Sequence, residues 1–156
     1  TNYLLTAVVE TAEDLDFLTH AFAIIGKSYP LDAKVENDVA HRLIALGFPK
    51  PAQQYLSSAA TGDAGRSRRM LRAEAALSMK RPRQAEAELL GLTGLDVEQL
   101  RSRARILSND HRGARISYST LGKYEQAAEQ AWLDSDWEAL NVIDAEMMKI
   151  NNVLIE

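Results

Sequence analysis

Arginine carries the clearest chemistry in this sequence. Arg66, Arg68, Arg69 and Arg72 fall close together, and Arg101, Arg103 and Arg105 form a second group further along. Eleven of the twelve basic residues between positions 66 and 115 are arginine. A guanidinium is a planar fork of donors that matches carboxylates and phosphates. On a helix, Arg69 and Arg72 are three apart and Arg101 and Arg105 four apart, so each pair shares a face. Directed into one groove, these four would hold an acidic peptide, a terminal carboxylate or a phosphate. Directed to solvent, the same arginines would pair with Glu74, Glu86, Glu88 and Glu98, within one chain or between subunits. Both readings stand at this point.

The charge is unevenly spread. Residues 1–65 carry 8 acidic and 4 basic side chains, residues 66–115 carry 6 and 12, and residues 116–156 carry 8 and 2. The blocks are therefore −4, +6 and −6 within a net −4. Nucleic acid is not expected as a partner. The flanking blocks repel phosphate, and no Tyr, Phe or Trp accompanies the arginines before Tyr118 to stack on a base.

Catalysis is not expected either. The three histidines, His20, His41 and His111, fall on separate helical segments with no second His or Cys at ligand spacing. There is no cysteine. No nucleophile elbow and no phosphate-binding glycine loop occurs. Asp134-x-Asp136-x-Glu138 lacks the twelve-residue spacing and central glycine of a calcium loop, so helix capping explains it better. No cofactor and no metal site is predicted. Tyr118, Tyr124, Trp132 and Trp137 gather near the end, either lining a peptide pocket or filling gaps between helices.

The elements that must position these residues are helices. Ala, Leu, Glu, Gln and Arg are plentiful, Gly and Pro number only 8 and 4, and no sustained β-branched alternation occurs. The apolar spacing predicts a helix over 2–9, one from Thr11 to about Ile25, and one capped by Asp32 and ending near Leu46. A helix over 51–60 should bury Ala52, Tyr55, Leu56 and Ala59. Thr61-Gly62-Asp63-Ala64-Gly65 reads as a loop and a flexible joint. Helices follow over 66–79, from Pro82, from a cap at Asp96 to Leu107, over 111–121, over 123–133, and from a Ser135-x-x-Glu138 capping box to about Ile150. No apolar run approaches the length of a membrane span.

One phrase recurs between these helices. Leu46-Gly47-Phe48-Pro49-Lys50-Pro51-Ala52 is echoed by Leu121-Gly122-Lys123-Tyr124-Glu125-Gln126-Ala127, with looser echoes ending at Ala85 and Ala114. Val39, Ala40, Leu43, Gly47, Ala52, Leu56 and Ala59 fit a repeat of paired helices, and Ala85 follows Ala52 by 33 residues. In this the chain resembles the tetratricopeptide repeat family, in a degenerate form over about residues 33–140. The register weakens after Ala85, leaving the 111–121 helix free to close one hairpin or open the next.

That resemblance implies an all-α, right-handed solenoid of antiparallel helix hairpins, with about 9–10 short helices forming a single domain over residues 1–156. It implies a protein–protein interaction or scaffold module whose groove, lined by Arg69, Arg72, Arg101 and Arg105, takes a protein or acidic peptide. The alternatives are a self-association domain and an accessory domain of an enzyme whose active site lies elsewhere. The first residue is Thr1, so the chain is expected to be a piece of a longer protein. Its apolar tail, Met147-Met148-x-Ile150 and Val153-Leu154-Ile155, reads as an interior helix, a cap folded back, or a homodimer contact.

Overall fold

The computed structural model describes His20 and residues 30–153. Every regular element among them is α-helical: α1 (Ala33–Ala45), α2 (Pro49–Tyr55), α3 (Gly62–Ser78), α4 (Pro82–Leu89), α5 (Leu95–Leu107), α6 (His111–Thr120), α7 (Tyr124–Leu133) and α8 (Trp137–Val153). The all-α expectation is met, and no strand occurs among the described residues. The helices expected over 2–9 and from Thr11 to Ile25 lie outside the described residues. The chain divides into two compact units after Leu89.

In the first unit, α3 packs against α1, α2 and α4. Val35, Val39, Leu43, Ala52, Leu56, Leu71 and Ala75 belong to one buried cluster. Alanine recurs where helices approach: Ala40, Ala52, Ala73, Ala75, Ala76 and Ala85 are all fully buried. A side chain ending at Cβ lets two backbones come close without leaving a void. In the second unit, consecutive helices pack in sequence, α5 on α6, α6 on α7 and α7 on α8. Ala127, Ala131, Ala139 and Ile143 form a buried cluster there, with Tyr118, Tyr124, Leu140 and Met147 against it. Helix α6 therefore packs on both of its neighbours in sequence.

The repeated phrase has a common physical basis. The residues at Gly47, Lys80, Asn109, Gly122 and Ser135 all have positive φ, between 56° and 86°. At each bend the next residue's N–H donates to the carbonyl five positions back: Phe48 to Leu43 at 2.8 Å, Arg81 to Ala76 at 2.8 Å, Asp110 to Arg105 at 2.9 Å, Lys123 to Tyr118 at 2.8 Å and Asp136 to Ala131 at 2.9 Å. The positive-φ residue itself donates three positions back, for example Gly47 to Ile44 and Lys80 to Leu77. This is the Schellman termination, and it satisfies the last carbonyls of one helix while aiming the chain into the next. Five residues past the positive-φ position stand Ala52, Ala85, Ala114 and Ala127, all fully buried, and at the last bend Leu140.

Only two of these five bends use glycine. Lys80 and Ser135 hold a left-handed conformation that costs a Cβ-bearing residue roughly 1–2 kcal/mol, and both are exposed. Lys80→Gly and Ser135→Gly are therefore each expected to raise stability by about 0.5–1 kcal/mol, part of the relief being lost to glycine's greater freedom when unfolded. Gly47→Ala should lower it by a similar amount without a clash, since the space around its Cβ position is open. Chemical denaturation checks all three; a destabilised Lys80→Gly would show that these residues are not strained.

Several expectations about the ends of helices need correction. Helix α2 stops at Tyr55, so Ala59 is exposed rather than buried. The chain turns at Ser58 because that residue is held by an arginine of α3, described below. Thr61–Gly65, expected as a loop, begins a helix: Thr61 is the N-cap of α3 and the Gly65 N–H donates to the Thr61 carbonyl at 3.1 Å. Asp32 caps α1 as expected, its Oδ1 accepting from Val35 N at 2.8 Å. The cap of α8 is Asp136, accepting from Ala139 N at 3.0 Å, and not Ser135, which the bend needs at positive φ. Gly94, not Asp96, caps α5, and Leu107 at its end is exposed.

Candidate functional site

Helix α3 distributes its arginines according to their rotation around the axis. Arg68 stands three residues before Leu71 and seven before Ala75, so all three point inward. Its side chain is almost completely buried. All five of its N–H directions find acceptors. Nε donates to Asn37 Oδ1 at 2.9 Å, Nη2 to Glu36 Oε2 at 2.6 Å and to the Ala33 carbonyl at 3.1 Å, and Nη1 to the Ser58 carbonyl at 3.0 Å and to Ser58 Oγ. Ser58 Oγ in turn donates to Glu36 Oε2 at 2.9 Å, and Asn37 Nδ2 donates to the Ala64 carbonyl at 2.9 Å. One buried guanidinium thus joins α1, the segment after α2, and α3. Sequence reasoning counted Arg68 in the cluster but put forward Arg69 and Arg72 as the pair sharing a face, and did not expect Arg68 to be the buried one. The signal that could have found it is the 3, 4 spacing Arg68, Leu71, Ala75.

Arg72 lies one turn on and is half-buried. Its Nε donates to the Leu56 carbonyl at 2.7 Å, Nη2 donates to the same carbonyl and to that of Ser58 at 3.3 Å, and Nη1 is 4.0 Å from Glu88 Oε2. Arg69 is half-buried and also engaged.

In the second unit the arginines gather around Glu98 on α5. Arg101 Nη1 donates to Glu98 Oε2 at 2.9 Å, and its Nη2 donates to the Leu92 carbonyl at 2.7 Å. Arg105 Nη1 is 3.4 Å from Glu98 Oε1, 3.0 Å from the Gly113 carbonyl and 2.6 Å from Ser117 Oγ. The fully buried Ser117 hydroxyl donates to Glu98 Oε1 at 2.6 Å. Burial favours the protonated form of Glu98. The bonds from Ser117 and Arg101, with the charges of Arg101 and Arg105, outweigh it and hold the carboxyl below the ordinary glutamate value.

Arg69 and Arg72 thus belong to the first unit, and Arg101 and Arg105 to the second. Arg72, Arg101 and Arg105 each bond carbonyls or carboxylates of their own unit. An anion arriving at these side chains competes with acceptors already in place. Exchange of a bond to Leu56, Leu92 or Glu98 would also loosen a connection that the fold uses.

The aromatic residues separate into two kinds. Tyr118 and Tyr124 pack against the buried cluster of the second unit. Trp132 and Trp137 do not: they are 62% and 52% exposed. Their rings meet edge to face, with centroids 5.0 Å apart and planes at 89°. The α7–α8 bend brings them together, since Trp132 is in the last turn of α7 and Trp137 opens α8. Trp137 opens α8 and stays exposed, whereas Ile143 further along the helix is buried. At the other end of α7, a groove of about 380 Å³ lies between Gly122–Gln126 and the side chains of Met147 and Ile150.

His20 and His41 are exposed, and His111 Nδ1 is 2.9 Å from Gln130 Oε1. Asp136, within the acidic triplet, is occupied by the Ala139 amide and by Arg115 Nη2 at 3.3 Å. Among the described residues no three His, Asp or Glu side chains converge as metal ligands, and no helix is long and apolar enough to cross a membrane. No family model matches the chain, and no curated protein or solved structure matches it.

Proposed function

We propose that this chain is a degenerate tetratricopeptide-like module that binds a protein or peptide partner. The observation that carries this reading is the recurrence of one hydrogen-bonded bend at five places, each leading to a small or apolar residue packed inside the next helix. Repetition of one bend builds a scaffold from neighbour contacts, and such scaffolds work through an extended surface rather than an enclosed pocket. Because the helices are fixed before a partner arrives, little ordering entropy is lost on association. Panning the full chain against a displayed random-peptide library tests the reading. A family of related peptides that bind saturably is expected, and an empty selection rejects the module. Enrichment of acidic peptides, lost on charge reversal of Arg69, would assign the partner to the arginines of α3.

Self-association is a second reading, favoured by the exposure of Val142, Met148 and Ile150 on α8. Sedimentation over a wide concentration range separates the two, since a persistent monomer removes this alternative.

A further inference from the structure

Two tryptophans more than half exposed at one bend are unusual on a surface, because burying large aromatic area is strongly favourable. Tryptophan is also the residue most enriched where binding energy concentrates. The edge-to-face contact between Trp132 and Trp137 restrains both rings, so a partner meets a surface that is already arranged. The exposed charged side chains nearest them along the chain are all acidic. Glu129 lies one turn before Trp132 on the outward side of α7, Asp134 follows in the bend, and Glu138 follows Trp137; all three are exposed. Asp136 is not part of this set, since it is bonded to Arg115 and to the Ala139 amide. Exposed tryptophan faces beside carboxylates suit an arginine or lysine head, which gains cation–π and Coulomb attraction together.

We infer that the Trp132–Trp137 corner is the docking surface for a basic amphipathic segment of a protein partner. Its apolar residues cover the indoles, and its cationic heads lie between the rings and Glu129, Asp134 and Glu138. A symmetric contact with a second copy would set these carboxylates against themselves, which opposes it. Nucleic acid and anionic membrane are disfavoured by the same charges. The inference rests on the interaction-module reading and goes beyond it by choosing the face and the sign of the partner.

The test pans one random-peptide library in parallel on the full wild-type chain, on Trp132→Ala/Trp137→Ala and on Glu129→Lys/Glu138→Lys. Peptides rich in Arg or Lys and apolar residues are expected from the wild type, with affinity at least about tenfold weaker for each variant. Because the chain has only two tryptophans, both at this corner, their emission should change saturably with the same peptides. Should removal of the indoles disturb folding, the charge-reversed variant decides, since it alters only exposed side chains. Acidic peptides, or peptides that bind all three proteins equally, overturn this inference and leave the module reading in place. An empty selection overturns both. A wild-type dimer that dissociates in the tryptophan variant identifies a second copy as the occupant and overturns it as well.

Discussion

Arg68→Leu is expected to destabilise the first unit by about 3–5 kcal/mol, the range for removing one partner of a buried ion pair. That is a large fraction of the roughly 5–15 kcal/mol that holds a domain folded. The size follows from what remains. Leucine fills part of the volume, but Asn37 Oδ1 and the carbonyls of Ala33 and Ser58 lose their donor, and Glu36 loses its cation. Water reaches Glu36, which is partly exposed, more readily than it reaches Asn37, which is buried. Arg68→Lys should recover less than half of the loss, because a single ammonium cannot address acceptors on α1 and beyond α2 at once. Urea unfolding monitored by helical circular dichroism measures both. A loss below about 1 kcal/mol for Arg68→Leu would mean that the network is incidental to the fold.

The contrast between Arg68 and Arg69 shows where the sequence stops being legible. The two differ by about 100° of rotation, and although the 3, 4 spacing to Leu71 and Ala75 favours Arg68, nothing local says which groups a buried guanidinium would meet. That is decided by α1 and by the turn at Ser58, through contacts more than thirty positions apart for Glu36 and Asn37. Helix α3 is also buried on more than one side, with Leu71 and Ala75 in the α1 cluster and Ala73, Ala76 and Leu77 buried as well. A single amphipathic stripe therefore described it incompletely. By contrast, the bends at Gly47 and Gly122 were readable, because glycine announces positive φ and the buried alanine follows at fixed distance. At Lys80, Asn109 and Ser135 the same backbone is made without glycine, so the echo faded although the geometry did not. The pairing of Arg101 and Arg105 with Glu98 was legible as one of two readings. That Ser117, from the next helix, completes it was not. The aromatic residues near the end were read either as a pocket lining or as gap fillers, and large aromatic residues usually signal a core; here Trp132 lies in the last turn of α7 and Trp137 opens α8, with both rings left outside it.

Glu98→Gln is expected to cost about 2–3 kcal/mol at neutral pH, the scale of hydrogen bonds to charged groups. The amide keeps the shape of the side chain but no longer attracts Arg101 and Arg105, and its NH2 group faces a donor where the carboxylate accepted. The effect should depend on pH in a determinate direction. In the folded chain the carboxyl is held below the ordinary glutamate value, so the unfolded chain takes up the proton first as pH falls. The stabilisation is present in full above that ordinary value and is lost as pH falls through the lower, folded value. Wild type and Glu98→Gln should therefore differ most near neutrality and converge in acid. Ser117→Ala should lose a smaller amount, because it removes one donated bond but leaves both guanidiniums on the carboxylate. Unfolding free energies of the three proteins, measured from neutral pH down through the glutamate range, check the sequence of effects. A gap between wild type and Glu98→Gln that stays constant across that range would show that the carboxylate charge does not hold α5 to α6, leaving the Arg105 bonds to Gly113 and Ser117 to do so.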